Sequence, residues 1–334
     1  MLRFVLHRLG LMVPVLFGLS IVLFAWVRAL PGDPARAMLG QHATAAAVAR
    51  VRQEYGFDKP VTTQYVLYLK SLLTGNVGHS ITDGRPVLGT FVDKLPATVE
   101  LALVALAFAV VVGIPLGYLT ARRRGGAVDA FVVSGSLIGV VTPVFFLAIL
   151  LKLVFADWLH WLPTSQQQDP RINATHVTNF YVLDGVLTGE WDAAWDALLH
   201  LVLPGIALGT MTLAVVVRIT RASVSEALTE DYVRTARSKG LAGITVSRRH
   251  VLRNALLPVV TTVGLQAGML LAGAVLTETV FSFNGVGQYL FAAISARDYP
   301  VLQGFVLFIA VIYMLINLSV DVAYGVIDPR VRVS

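Results

Sequence analysis

The chain contains no cysteine, which excludes disulfides, zinc–thiolate centres and a cysteine nucleophile. It also has little charge. Asp, Glu, Lys and Arg make up 14% of its 334 residues, against roughly 25% in a soluble domain. So few charges could not cover a water-facing surface of this size. The phosphate-cradling pattern Gly-x-x-x-x-Gly-Lys-Ser/Thr is missing, as are His-Glu-x-x-His and Gly-x-Ser-x-Gly. Neither nucleotide hydrolysis nor zinc or serine hydrolase chemistry is therefore expected of this chain. Its seven histidines are scattered without metal-ligand spacing, so no metal site is expected. The apolar residues do not alternate, which argues against a barrel.

What is present is long apolar blocks. Hydrophobic residues make up 56% of the sequence, and the mean hydropathy is +0.73. Six charge-free windows follow one another: Leu9–Val27, Leu101–Ala121, Ala130–Leu151, Ala197–Val217, Asn254–Thr277 and Tyr299–Val320. Each is about 20 residues, enough at ~1.5 Å per residue to cross ~30 Å of hydrocarbon. The fold class read from this is an all-α integral membrane protein with about six transmembrane helices. The first window follows Arg3 and Arg8 and could be a signal peptide. Its apolar run exceeds the usual ~7–15 residues and no clean cleavage site follows, so an uncleaved helix is expected.

Lys and Arg set the orientation. They concentrate at the N-terminus, in 122–128, in 218–253 and at the C-terminus, with Arg122, Arg123, Arg124, Arg218, Arg221, Arg248, Arg249, Arg253, Arg330 and Arg332 among them. Those short segments are expected in the cytoplasm, with both termini inside. The net charge of +6 is thereby a topology signal, and no nucleic-acid partner is expected. The organisation is then a first helix in 1–29, an external segment in 30–95, and a core of five further helices in 96–330 that includes a cytoplasmic loop at 218–258.

In the first external segment, Pro31–Pro34 is a turn cluster that ends the first helix. Thr44–Tyr55 predicts a short helix capped by Thr44, Tyr65–Leu73 an amphipathic stretch, and Gly75–Gly78 its end. The second, 157–196, carries Trp158, Trp161, Tyr181, Trp191 and Trp195, which suit an interfacial aromatic belt or a docking surface. Gly113/Gly117, Gly135/Gly139, Gly205/Gly209 and Gly264/Gly268 space small residues for close helix approach. Pro115, Pro143 and Pro204 predict kinks within spans.

The 218–258 loop carries the most information. Thr229 is a candidate N-cap, Glu230 and Asp231 suit a first helical turn, Arg237 and Lys239 suit a last turn, and Gly240 suits the residue beyond it. The expectation is a stiff helix of two to three turns projecting from the membrane. Positive-inside rules alone would not require that capping pattern.

Arg234-Thr235-Ala236 followed by Gly240 resembles, in altered form, the Glu-Ala-Ala-x-x-x-Gly signature of ABC importer permeases. The wording of 230–241 and of 252–261 is similar to the B-type permease subunit of dipeptide and oligopeptide importers. So are Leu30–Pro34, Gly75–Ser80, Leu270–Ser282, Arg297–Gly304 and Asp328–Arg330. Arg234 in place of Glu, and the long spacing from Gly240 to Leu257-Pro258, depart from the general signature as the peptide branch does.

The resemblance implies a type I ABC importer permease fold in a bacterial inner membrane. It implies a second, C-type permease subunit, two cytoplasmic ABC ATPases that bind ATP and Mg, and an external peptide-binding protein, with no cofactor in this chain. Asp231, Tyr232, Arg234, Thr235, Ala236, Arg237, Lys239 and Gly240 are the expected coupling element. Relatives of this branch carry nickel chelates, glutathione, haem or sugars, so the cargo stays open. An ATP-independent carrier or channel is the alternative of another class; it lacks the expected repeats and intramembrane ions. Glu278, at the external end of the fifth window, and Asn284 after it are candidates for the translocation path or external gate. Glu278 could equally just end its span at the interface.

Overall fold

The structure, a computed structural model, describes residues 2–29, 35–36, 44–54 and 56–327. The expected turn at Pro31–Pro34 and the Asp328–Arg330 ending lie outside the described residues. Among the described residues all regular structure is helical apart from one isolated bridge, His79–Pro86. Among the described residues five helices are long and apolar enough to span a membrane: Val5–Trp26, Val87–Arg122, Trp191–Thr229, Gly243–Phe281 and Tyr299–Val322. The Ala130–Leu151 window is not one straight span. It breaks at Thr142–Pro143 into Ala127–Val141 and Val144–Trp158, bent by 106°. Pro143 has no N–H and biases Thr142 to its observed extended backbone (ψ 124°), which no helix can continue through. Counting the bent pair as one gives six.

The chain forms two compact units, Met1–Pro96 with Asn284–Ser334, and Ala97–Phe283. The last helices thus group with the N-terminal segment, a different division from 1–29, 30–95 and 96–330.

The first unit contains α1 (Leu2–Ala29), α2 (Ala45–Glu54), α3 (Val61–Leu73), the start of α4 (Val87–Arg122), α11 (Val286–Ala296) and α12 (Tyr299–Ile327). The Thr44 hydroxyl accepts the Ala47 N–H at 3.2 Å, so α2 starts where its cap predicts. α3 starts earlier than the amphipathic stretch, directly after Pro60, and ends before Gly75, whose φ is +71°. α1 packs on α12, and Arg8 meets Asp321 at 3.2 Å, so the two run antiparallel. Val87, Phe91, Val286, Val301, Leu302 and Phe305 form this unit's core. Asp298, 1% exposed, accepts from the Ser80 hydroxyl (2.6 Å), the Thr82 N–H and the Val301 N–H, tying the 79–86 turn to the start of α12.

The second unit contains the rest of α4, then α5 (Ala127–Val141), α6 (Val144–Leu151, continued by a π-helical turn Lys152–Trp158), α7 (Tyr181–Thr188), α8 (Trp191–Thr229), α9 (Asp231–Ser238) and α10 (Arg253–Phe281). A helical turn at Gly243–Thr245 and a π-helical segment Val246–Leu252 run into α10. α8 is central and carries Pro204 inside it. Two of the small-residue pairs interlock: a methyl on Gly117 would lie 2.6 Å from Thr220 Cβ and 2.7 Å from the Val217 carbonyl, and one on Gly209 would lie 2.6 Å from the Ala105 carbonyl. Gly139 faces Thr210, whereas Gly135 faces open space.

The 157–196 segment is tied down by buried carboxylates. Glu100 on α4 accepts the Tyr181 and Val182 N–H groups (3.2 and 2.9 Å), capping α7 from another helix. Asp184, 1% exposed, accepts from the N–H groups of Val177, Thr178 and Asn179 and from the Thr178 hydroxyl (2.6 Å). Burial pushes the Asp184 carboxyl up, and the Thr178 hydroxyl and the backbone donors outweigh it, holding it below the usual carboxylate range. Trp158, Trp161, Trp191 and Trp195 are all more than 60% exposed.

Candidate functional site

α9 is the short helix that the sequence led us to expect, with one correction at its start. Thr229 is the last residue of α8, and its hydroxyl donates to the Glu226 carbonyl at 2.7 Å. Glu230 is the extended residue between the two helices (ψ 146°), and no side chain caps α9. A Ser or Thr hydroxyl within a helix satisfies itself on the preceding turn, and that bond competes with capping. The end follows expectation. Gly240 has φ +75°, its N–H donates to the Arg237 carbonyl (2.9 Å), and the Leu241 N–H reaches the Ala236 carbonyl (3.4 Å). These two bonds make a Schellman cap.

The side chains divide by face. Val233 is fully buried and Ala236 is 3% exposed. They sit in a cluster with Ala121 of α4, Val224 and Ala227 of α8, Val246 and Val251 of the π-helical segment, and Ala255 of α10. Asp231, Tyr232, Arg234, Thr235, Arg237, Lys239 and Gly240 are exposed. Arg234 and Asp231 approach to 3.5 Å, with side chains 78% and 93% exposed. At that exposure the pair contributes little to stability. Seven of the eight expected coupling residues thus form one outward surface, and Ala236 belongs to its seat. Val233 escaped the sequence reading. Its signal was the Val233/Ala236 spacing of three within an otherwise polar stretch, the minimum for one helical face.

Two further ties hold the base of this element. Asp129, at the start of α5, receives a bidentate pair from Arg221 of α8, Nε to Oδ1 at 2.7 Å and Nη2 to Oδ2 at 2.8 Å. The Gly125 N–H adds a third bond at 2.9 Å. Two parallel bonds fix orientation as well as distance. The Tyr118 hydroxyl donates to Ser247 Oγ at 2.8 Å, joining α4 to the π-helical segment. In the sequence Asp129 and Glu100 served only to close apolar windows. Nothing local revealed their partners, which lie 92 and 81 residues away.

The path candidates stand elsewhere. Glu278 is fully buried, near the end of α10, and accepts from the Thr98 hydroxyl at 2.6 Å. Lys152 Nζ donates to the nearby Val280 carbonyl at 3.3 Å. Asn284 is exposed and its side-chain oxygen accepts from Lys94 Nζ. Glu278 belongs to the second compact unit and Asn284 to the first. Among the described residues, no three His, Asp or Glu side chains are grouped to hold a metal ion.

Long apolar helices with a short polar helix seated at the base of three of them define a helical, multi-pass membrane protein whose polar surface is seated against its spans. Residues 113–333 match the family model for the binding-protein-dependent transport system inner membrane component, and residues 1–102 match that family's N-terminal model. The chain belongs to this family, the permease subunits of binding-protein-dependent ABC importers. It is 42% identical, over 99% of its length and all of the relative's, to the dipeptide transport system permease protein DppB of Alkalihalophilus pseudofirmus. It is 44% identical to the di/tripeptide permease protein DppB of Pseudomonas aeruginosa and to the dipeptide permease protein DppB of Escherichia coli K12, each over 99% of both chains. An inward-facing structure of the MetNI methionine ABC transporter has a chain with the same fold, at TM-score 0.54 and 16% identity, over 73% of this chain and 98% of that one.

Proposed function

We propose that this permease carries dipeptides inward in an ATP-driven complex. The complex contains a second, C-type permease subunit, two cytoplasmic ABC ATPases and an external peptide-binding protein. The observation that supports this reading most is the identity of 42–44% along 99% of the chain with permeases named for dipeptides. ATP and Mg bind in the ATPases, and this chain carries no cofactor. Both termini and the 218–258 loop face the cytoplasm, as the Lys and Arg distribution requires.

In this reading the exposed face of α9, from Asp231 to Gly240, enters a groove of one ATPase. Its buried face, Val233 and Ala236, rests on the ends of α4 and α8 and on the π-helical base of α10. A displacement of α9 therefore acts on three spans at once. ATP-driven closure of the ATPases moves α9, and the spans exchange between two arrangements, open inward or open outward. Glu278 and Asn284 are assigned to the external side of the path.

The test is reconstitution of the four kinds of subunit in proteoliposomes with labelled dipeptide outside. Uptake is expected only with ATP and with the binding protein. Uptake of a nickel chelate, glutathione or haem in place of dipeptides would keep the architecture and refute the cargo. Uptake by this chain without ATPases would refute the importer mechanism itself.

A further inference from the structure

The first compact unit carries a half-open pocket of about 310 Å³ that the transport reading does not use. That volume is at the lower end of the ~300–1,000 Å³ typical of small-molecule sites. Its depth can be read from the spans. Arg28, on its wall, lies just beyond the Val5–Trp26 span, and Tyr299 and Pro300 open the Tyr299–Val322 span. Because α1 and α12 run antiparallel, with Arg8 meeting Asp321 at their other ends, those two ends lie at the same membrane face. The cavity is therefore at the level of lipid headgroups.

Its chemistry is one-sided. Among the described residues Arg28 is the only charged one on the wall. The guanidinium is held in place: Nε and Nη2 both donate to Gln64 Oε1 (3.0 and 2.7 Å), and the Phe24 ring lies 3.4 Å beneath it. Nη1 has only a 3.5 Å contact with the Phe24 carbonyl. No carboxylate among the described residues pairs with this half-buried cation, so the described part of the wall is positively charged. Two more wall residues carry buried polar atoms with no hydrogen-bond partner, the Tyr68 hydroxyl and Gln303 Nε2. Both can donate, and a buried donor left unpaired is costly. Leu67, Val77 and Phe57 supply an apolar wall.

We propose that this cavity binds the phosphate headgroup of a membrane phospholipid, with Arg28 as its counter-ion. With Nε and one Nη2 hydrogen committed to Gln64, Nη1 and the second Nη2 hydrogen remain to donate to phosphate oxygens. Tyr68 and Gln303 supply further donors, and the apolar wall takes the glycerol and the first methylenes. A lipid seated there bridges α1, α3 and α12, the elements that contribute these residues.

The test uses the full importer complex, purified in detergent and stripped of lipid, with phosphatidylglycerol added back and bound lipid counted by native mass spectrometry. Wild type is expected to retain one lipid per copy of this chain. Arg28→Gln is expected to weaken retention about tenfold, and Arg28→Lys less. Tyr68→Phe keeps the ring packing and is expected to weaken retention a few-fold, which serves if Arg28→Gln fails to assemble. Unchanged retention in both Arg28→Gln and Tyr68→Phe would overturn the proposal. So would displacement of the lipid by an equal concentration of inorganic phosphate, which would make the free anion the ligand. Displacement by a dipeptide would overturn it in favour of the cargo.

Discussion

The Schellman cap at Gly240 offers the most exacting test of the proposal that α9 couples the spans to an ATPase. Gly240 has φ +75°, and nothing lies within 4 Å of where its Cβ would be. Gly240→Ala therefore meets no clash, and its cost is conformational alone. The left-handed region disfavours a residue with a Cβ by ~1–2 kcal/mol. Against that, α9 is held by only two buried apolar side chains, Val233 and Ala236, whose burial contributes on the order of 3 kcal/mol. Losing ~1–2 kcal/mol from an element so lightly anchored shifts its seated population by about tenfold. Gly240→Pro goes further. It removes the N–H donor to Arg237 and fixes φ near −65°, with a cost of ~3 kcal/mol or more. Gly240→Asn tolerates the left-handed region and is expected to restore most function. The assay is uptake of dipeptide per ATP hydrolysed in proteoliposomes, alongside protease protection to check membrane insertion. The expected order is wild type, Asn, Ala, Pro, with insertion unchanged and ATP turnover persisting without uptake in Pro. Wild-type stoichiometry in Gly240→Pro would refute the coupling assignment.

Val233→Ala removes two buried methyl groups from the seat of α9 and is expected to cost about 2 kcal/mol locally, read as faster hydrogen exchange in 231–240. Gly117→Ala places a methyl 2.6 Å from Thr220 Cβ; overpacking of this kind costs ~1–3 kcal/mol, so the thermal midpoint of the purified complex should fall. Asp129→Asn breaks the bidentate pair with Arg221; it should loosen the 122–129 turn, and the reversed pair Asp129→Arg with Arg221→Asp should restore part of the loss in a double-mutant cycle. Because the Asp184 carboxyl is held below its ordinary range, its contribution to the 175–190 segment is full above the unfolded value near ~3.9. That contribution is lost as pH falls through the lower folded value, so proteolysis of the segment should rise below about pH 4 in wild type and rise less steeply in Asp184→Asn, where Glu190 remains the titrating carboxylate that accepts from Thr175.

Much of this protein was legible from local pattern. Apolar length located the spans because a lipid interior demands ~20 apolar residues whatever the neighbours do. Gly240 and the charges of α9 set its end, since a Schellman cap is closed by residues within one turn of each other. The capping by Thr44 and the break at Gly75 were legible for the same reason. Pattern failed where a residue had two local options. Thr229 can cap the next helix or finish the one before it, and the great length of α8 decided for the second. Pro143 marked the break in the Ala130–Leu151 window, but a window that is apolar throughout gave no sign that the bend reaches 106°.

The sequence by itself determined that the chain lives in a bilayer, how many times it is long enough to cross, and where a stiff polar helix projects. Those properties depend on composition and on contacts within a turn or two. Only the tertiary structure decided which charges are functional ties and which merely bound a span. Asp129 and Glu100 acquire their roles from donors 92 and 81 residues away. It also decided that Val233 anchors α9, and that Arg28 stands with Tyr68 and Gln303 around one cavity. The physical reason is the same in each case. A buried charge or donor is defined by the partner that answers it, and in a bundle of long helices that partner comes from another part of the chain.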